Sequence, residues 1–387
     1  MRILLSVTYY RPHVSGLTIY VERLTHGLAR RGHQVTVLTS HNDPTLPLNE
    51  MVNGVTIVRV PVIATISKGP IMPRFGVAAA KLARSHDVVS LHLPQVESML
   101  AAVPARAMRK PVVLTYHCDL SLPDGAFNTV VGAAVSTANR ATGHLADAVV
   151  AYTDDYAQHS PFLRSFRHKI EVIGPPVTMP APSAADVAAF RERHRLPKGP
   201  ILGYASRFAT EKGIEYAIDA APALIERYPD LCILFAGPYQ EVIGEDDYRA
   251  RLEPKIRELG NHWQFLGTLG PEELPAFYGS LDALLMTSIN STESFGLVQV
   301  EAMLCGTPVV ATNLPGVRQP VRITGMGEIV DIGSSYSLAK GILKVLENRQ
   351  AYVRPREEIA AHYDIDVTVT AYESLFERLA APRNAAA

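Results

Sequence analysis

A chain of 387 residues is too long for one ordinary core and fits two to three domains. Apolar residues make up 47% and charged residues 19%, a globular balance that excludes a disordered chain. Formal net charge is −1, but residues 1–173 hold 17 Lys+Arg against 11 Asp+Glu, and the remainder holds 20 against 27. A basic front half suits an anionic partner, either a phosphate-bearing acceptor or an anionic membrane surface, although random asymmetry explains it equally well. The charge is too dilute for nucleic acid, with no Lys/Arg run interleaved with aromatics.

The chain opens on "MRILLSVTYYRPH", which lacks the long apolar region and cleavage site of a signal peptide and reads as a first buried strand. No run of about 18 apolar residues predicts a membrane span. Cys118, Cys232 and Cys305 lie far apart, without a C-x-x-C, and fit a reducing cytoplasm. The front half then gives "RILLSVTY", "QVTVLTS", "VTIVRVP", "DVVSLHL", "PVVLTYH" and "DAVVAYT", near-continuous apolar runs of the kind buried on both faces in parallel sheets. Helical patterns separate them. In the first, Leu17, Val21, Leu24 and Leu28 recur at helical spacing, and Gly32 is a stop signal. "IMPRFGVAAAKLARSH" and "MLAAVPARAMRK" mix apolar and basic residues, as membrane-surface helices do and as plain sheet-covering helices also do.

"VIGPPVTMPAPSAAD" (Val172 to Asp186) has linker composition. The alternation restarts with "PILGYAS", a helix from Lys212, "LCILFAGP", a charged helix, "WQFLGTL", a helix from Glu272, "DALLMTS", a helix within "ESFGLVQVEAMLC", and "PVVATN". "DVTVTAYESLFERLAA" reads as an amphipathic helix and "PRNAAA" as a frayed tail. The expectation is α/β: two doubly wound, Rossmann-like domains facing a central cleft, residues 1–176 (with 366–382 packing back) and 177–365.

Residues just after the strands then carry the chemistry. Ser15-Gly16 opens the first helix, where a glycine admits a phosphate to the backbone; a plain strand-to-helix turn is the alternative. His117 and Asp119 follow another strand, suited to a sugar hydroxyl or carbonyl and to an acceptor hydroxyl, although lone histidines are more often structural. Arg207 and Lys212 follow the first strand of the second half. A lysine at a helix start is electrostatically misplaced unless an anion docks there, and an Arg with a Lys suits a diphosphate. In "ESFGLVQVE", Ser294 and Phe295 are expected to start a helix with Glu293 just outside it and Glu301 two turns on, ~12 Å away. That span suits a sugar and a ribose joined by a diphosphate better than the ~5–10 Å of a glycosidase pair. A helix with acidic ends is the plain alternative.

With "YHCDL", "SRFATEKG" and "ESFGLVQVEAMLCGTPVVAT" in this order, the chain resembles the retaining glycosyltransferases of family four, a group with the two-domain GT-B fold and nucleotide-sugar donors. The resemblance runs nearly the full length, including a last helix that crosses back to the first domain. It implies that Arg207 and Lys212 bind the donor diphosphate and stabilise the leaving nucleotide. It further implies that Glu293 contacts donor-sugar hydroxyls, Glu301 the ribose, and the backbone N–H groups of Leu297 and Val298, beside Phe295 and Gly296, the phosphates. His117 would contact the sugar near the transferred carbon, and Gly16 would line the crevice below the diphosphate. No metal or other cofactor is expected beyond a UDP- or GDP-sugar donor. A lipid-linked, phosphorylated or glycan acceptor is expected, in the cytoplasm and in contact with the inner membrane face. The chain departs from the family at Ser15-Gly16, where Gly-Gly is common, at "GPPV" in place of Pro-Asn-Gly-Val, and at Pro315-Gly316 with Gln319. A nucleotide-sugar 2-epimerase of the same broad fold and a non-catalytic nucleotide-sugar binder are the competing readings. The missing G-x-G-x-x-G disfavours an NAD oxidoreductase.

Overall fold

The computed structural model describes residues 1–66, 69–120 and 126–381, so the tail sequence "PRNAAA" lies outside the described residues. The first ten strands are β1 (Arg2–Ser6), β2 (Gln34–His41), β3 (Asn49–Val52), β4 (Val55–Pro61), β5 (Ala64–Ile66), β6 (Gly69–Ile71), β7 (Val88–Leu93), β8 (Val112–Tyr116), β9 (Ala148–Ala151) and β10 (Ile170–Val172). Eight form one sheet in the order β10-β9-β8-β7-β1-β2-β4-β3, parallel except for β3, and β5 and β6 pair as a separate hairpin. The apolar runs form its centre: β7, β8 and β9 are buried along their whole length. The chain winds outward from β1 to β4, then returns to β7 and winds the other way. The order therefore reverses between β1 and β7, where open α/β sheets place ligands.

The second sheet contains β11 (Ile201–Ala205), β12 (Cys232–Ala236), β13 (Trp263–Gly267), β14 (Ala283–Met286), β15 (Val309–Thr312) and β16 (Gly327–Val330). Its order is β13-β12-β11-β14-β15-β16, all parallel, with the reversal between β11 and β14. Each sheet has its own apolar core. The chain divides into two compact units, residues 1–176 with 363–387, and residues 177–362.

The last helix (Ile365–Ala380) belongs to the first unit, where it packs on the first helix (Gly16–Arg30). Gly27 makes this close approach: a Cβ there would lie 2.4 Å from Val369 Cγ2. Tyr20 and Tyr372 hydroxyls meet at 2.7 Å across the contact, and Glu373 accepts from His33 at 2.8 Å. In the first helix Val21, Leu24 and Leu28 are buried as the periodicity predicts, Leu17 only partly, and Gly32 follows the end with φ of +87°. The stretch read as a linker is not a free one. Val172 ends β10, and Val177 and Met179 are buried. Arg356 donates to the carbonyls of Met179 and Leu304, tying the stretch to the second unit.

Candidate active site

In the second unit the chemistry-bearing residues flank the reversal point. β11 ends at Ala205, and the chain passes Arg207 into a short 3-10 turn (Thr210–Lys212) before the helix Ile214–Arg227. Glu245 anchors the turn, accepting from the Thr210 amide at 2.9 Å and its hydroxyl at 2.7 Å. Thr287, just past β14, donates to the Lys212 carbonyl at 2.6 Å. Gly213 has φ of +60°, and a Cβ there would lie 2.4 Å from the Thr287 carbonyl oxygen, so only glycine fits between the two loops. Lys212 thus ends the turn ahead of the helix and does not start the helix itself. The first amide of that helix, Ile214 N–H, is already taken by the Tyr248 hydroxyl at 3.0 Å.

The Lys212 ammonium lies 2.6 Å from Glu293 Oε2, with both side chains only 18% exposed. The anion beside this lysine is the glutamate of "ESFGLVQVE". Arg207 is 48% exposed and pairs with Glu211 at 2.7 Å. Asn290 builds the approach to Glu293, its side chain accepting from the Thr292 amide at 3.1 Å and hydroxyl at 2.6 Å.

The helix of this segment begins later than its sequence suggests. It spans Leu297–Leu304, with Gly296 as cap at φ of +80°, and Ser294 and Phe295 lie before it. A positive-φ glycine after a buried Phe overrode the serine as start signal. The expected ~12 Å is helical rise over the eight residues from Glu293 to Glu301; the helix covers only Leu297 to Glu301 of that span, about 6 Å of rise. Gln299 stabilises the cap, donating to the carbonyls of Phe295 at 2.7 Å and Val317 at 3.0 Å. Phe295 is buried at 1% exposure, so its ring serves the core. Leu297 and Val298 occupy the first helical positions, where amides have no carbonyl within the helix to pair with. Glu301 is 6% exposed and accepts from the Tyr278 hydroxyl at 2.9 Å.

The first-unit candidates follow β1 and β8. Ser15 caps the first helix, accepting from Thr18 N–H at 3.2 Å. Gly16 is exposed, and a Cβ there would meet nothing within 4 Å, so the fold itself does not demand glycine. His117 is 4% exposed; Nε2 meets His92 Nδ1 at 2.9 Å and Nδ1 bonds the Tyr152 hydroxyl. Burial first, and the neighbouring His92 second, hold its pKa well below the usual histidine range. Asp119 Oδ1 accepts from Tyr116 at 3.0 Å and Ser160 at 2.6 Å, while Oδ2 is buried without a hydrogen-bond partner among the described residues. Burial first and Asp119 second push both Tyr116 and Tyr156 up.

Sequence reasoning missed Glu211, Tyr278, His92 and Tyr152. For His92 a signal existed: like His117, it stands at the end of an apolar strand. Glu211 and Tyr278 carry no local signal, since their roles appear only once Arg207 and Glu301 are seen beside them.

Two doubly wound units, the second with cations and carboxylates at its reversal point, are the arrangement of the GT-B class of glycosyltransferases. The chain matches the family models described as "Glycosyl transferase 4-like domain" over residues 15–176 and "Glycosyl transferases group 1" over residues 186–362. It belongs to the family-four glycosyltransferases and is a hexosyltransferase. It is 26% identical to the phosphatidyl-myo-inositol mannosyltransferase of Mycobacterium tuberculosis, over 98% of this chain and 97% of that protein. It is 29% identical to the 2-deoxystreptamine glucosyltransferase of Streptomyces kanamyceticus, over 68% of each. In fold it resembles Anabaena HepE, crystallised in complex with UDP-glucose, with a TM-score of 0.76, 21% identity, and coverage of 97% of this chain and 99% of that one.

Proposed function

We propose that this enzyme moves a glucosyl- or mannosyl-type hexose from a UDP- or GDP-sugar to a hydroxyl of a lipid-linked, phosphorylated or glycan acceptor, with retention and without a metal. The observation that carries the reading is the Lys212–Glu293 pair at 2.6 Å, beside the exposed Arg207. A diphosphate between Lys212 and Arg207 replaces one carboxylate contact with several charge-assisted ones. Glu293, released from Lys212, accepts from vicinal sugar hydroxyls. The Leu297 and Val298 amides add donors to the phosphates, and Glu301 takes the ribose. On the first unit, His117 is assigned to the donor sugar, Gly16 to close approach of the ligand, and Asp119 to the acceptor hydroxyl. The acceptor oxygen attacks the anomeric carbon on the face that the phosphate leaves. The carbon–oxygen bond to phosphate breaks, and the acceptor proton passes to the departing diphosphate. Charge builds on that diphosphate, and Arg207 and Lys212 stabilise it.

Transfer is proposed to take place at the inner face of an anionic membrane. Arg74, the cap of the helix Phe75–Ser85, and Val77, Lys81 and Arg84 within it follow helical spacing on one side, with Val77 74% exposed. The adjacent helix Ser98–Ala107 exposes Leu100 and Val103. Exposed apolar groups beside basic ones suit lipid headgroups. No helix among the described residues is long and apolar enough to cross a membrane.

The test is transfer from UDP-glucose, GDP-mannose and related donors to phosphatidylinositol, inositol phosphate and glycan acceptors, with the product's anomeric configuration read by proton NMR. The expected product keeps the donor's α configuration; an inverted product, or none with any donor, refutes the proposal. Co-sedimentation with anionic vesicles should weaken as salt rises, and absence of binding at low salt would remove the membrane part.

A further inference from the structure

Three consecutive strands of the first sheet, β7, β8 and β9, deliver side chains into one buried line of hydrogen bonds. Ser90 Oγ lies 3.4 Å from His92 Nε2, His92 Nδ1 lies 2.9 Å from His117 Nε2, and His117 Nδ1 bonds the Tyr152 hydroxyl. None of the four residues is more than 8% exposed. Tyr20, from the first helix, closes the cage. Its ring stands edge-on to His117 at 4.9 Å and stacks on Tyr152 at 5.2 Å. Its hydroxyl meets Tyr372 of the last helix, and Tyr372 in turn meets Thr115 of β8 at 2.7 Å.

A neutral imidazole has one N–H and one lone pair. The bond between the two histidines uses one of each, so whichever ring donates there must accept at its other nitrogen. The protons therefore point in one common direction along the line, from Tyr152 to Ser90 or the reverse, and the tautomer of His117 is tied to that of His92. Both rings stay uncharged: burial holds His92 down to about 3 and His117 well below its usual range. With protein partners on both ring nitrogens, His117 is badly placed to carry a proton during turnover.

We propose that His92 is a positioning residue for glycosyl transfer: it fixes the ring plane and tautomer of His117, which then serves the donor by its place and not by exchanging a proton. This rests on the reading of His117 as a contact to the donor sugar. His92→Phe removes the partner of a buried nitrogen, whereas His92→Asn keeps a polar group able to bond it.

The experiment compares kcat and donor KM for the wild type, His92→Phe, His92→Asn and His117→Ala, corrected for folded fraction, alongside 15N NMR of the imidazoles. His92→Phe should lower kcat about tenfold while moving KM less than about threefold, and His92→Asn should recover most of kcat. In the wild type, the ring nitrogens of His92 and His117 should show a neutral pattern that does not change between about pH 5.5 and 8. Wild-type kcat per folded molecule in His92→Phe overturns the proposal, as does a His117 that titrates within that range. If His92→Phe does not fold, His92→Asn and the NMR result decide: unchanged kcat with a displaced His117 signal refutes positioning. Full activity in His117→Ala would instead refute the reading of His117, whatever the NMR shows.

Discussion

Glu293→Gln should have opposite effects on a nucleoside diphosphate and on the complete donor. Lys212 and Glu293 sit 2.6 Å apart with both side chains about four-fifths covered. Exposed pairs contribute about 0–1 kcal/mol, and breaking a fully buried pair costs about 3–5 kcal/mol, so this one lies between, at about 1–2 kcal/mol. A nucleoside diphosphate that takes Lys212 must first displace this carboxylate. It then faces a buried, unpaired Glu293 unless a sugar hydroxyl satisfies it. In the Gln variant that competition is absent, and UDP or GDP should bind about 5- to 30-fold more tightly, since 1.4 kcal/mol is a factor of ten. The sugar conjugate loses its bidentate carboxylate acceptor and should gain little or lose affinity. Isothermal titration of nucleotide and nucleotide-sugar on both proteins gives the two ratios. Weaker binding of the bare diphosphate to Glu293→Gln would refute the idea that Glu293 holds the place of the donor.

Gly16→Ala should leave the melting temperature unchanged, because a Cβ meets nothing within 4 Å, yet should lower kcat/KM if a phosphate approaches that backbone; an unchanged kcat/KM would remove Gly16 from the site. Gly27→Ala should destabilise by about 1–3 kcal/mol through its clash with Val369, seen as a lower denaturant midpoint; a neutral result would mean the last helix yields. Stability should fall below about pH 6.5, because His92 and His117 have folded pKa values below their unfolded ones and the unfolded chain binds the extra protons. The stability these neutral rings confer is complete above about pH 6.5 and is lost by up to about 1.4 kcal/mol per pH unit per histidine on acidification. Chemical denaturation at pH 7 and pH 5 should show a shallower slope in His92→Asn, with the remainder carried by His117 and by His26, His86 and His194, whose pKa values burial also lowers; a flat wild-type profile would contradict it.

The central strands were legible because parallel strands covered on both faces must be apolar throughout, as β7, β8 and β9 are. β3, the β5–β6 hairpin, β10 and β16 were not foreseen. β3 is a four-residue edge with mostly exposed side chains, β5, β6 and β10 have three residues each, and β16 is a four-residue edge that opens on Gly327. Short edges make few apolar contacts and leave little mark on composition. Arg207 and Lys212 stood out by residue type and position after a strand, and Glu293 and Glu301 as carboxylates flanking one short segment. The pairing of Lys212 with Glu293 did not, because the two are 81 residues apart and meet only because β11 pairs with β14. The cap at Gly296 was hidden for a related reason. A Cβ at Gly296 would lie 2.7 Å from Met286 Cε, on β14 ten residues earlier, a contact that the local sequence does not announce.

The most direct test of the diphosphate site is thermal stability against UDP, GDP, ADP and their common sugar conjugates, measured on the wild type and on Lys212→Ala. A nucleotide at a hundred times its dissociation constant should stabilise the folded protein by about 2.7 kcal/mol. A shift with one nucleotide base, abolished in Lys212→Ala, is the predicted result and would identify the donor. An equal shift in the variant would place the nucleotide away from Lys212 and contradict the site.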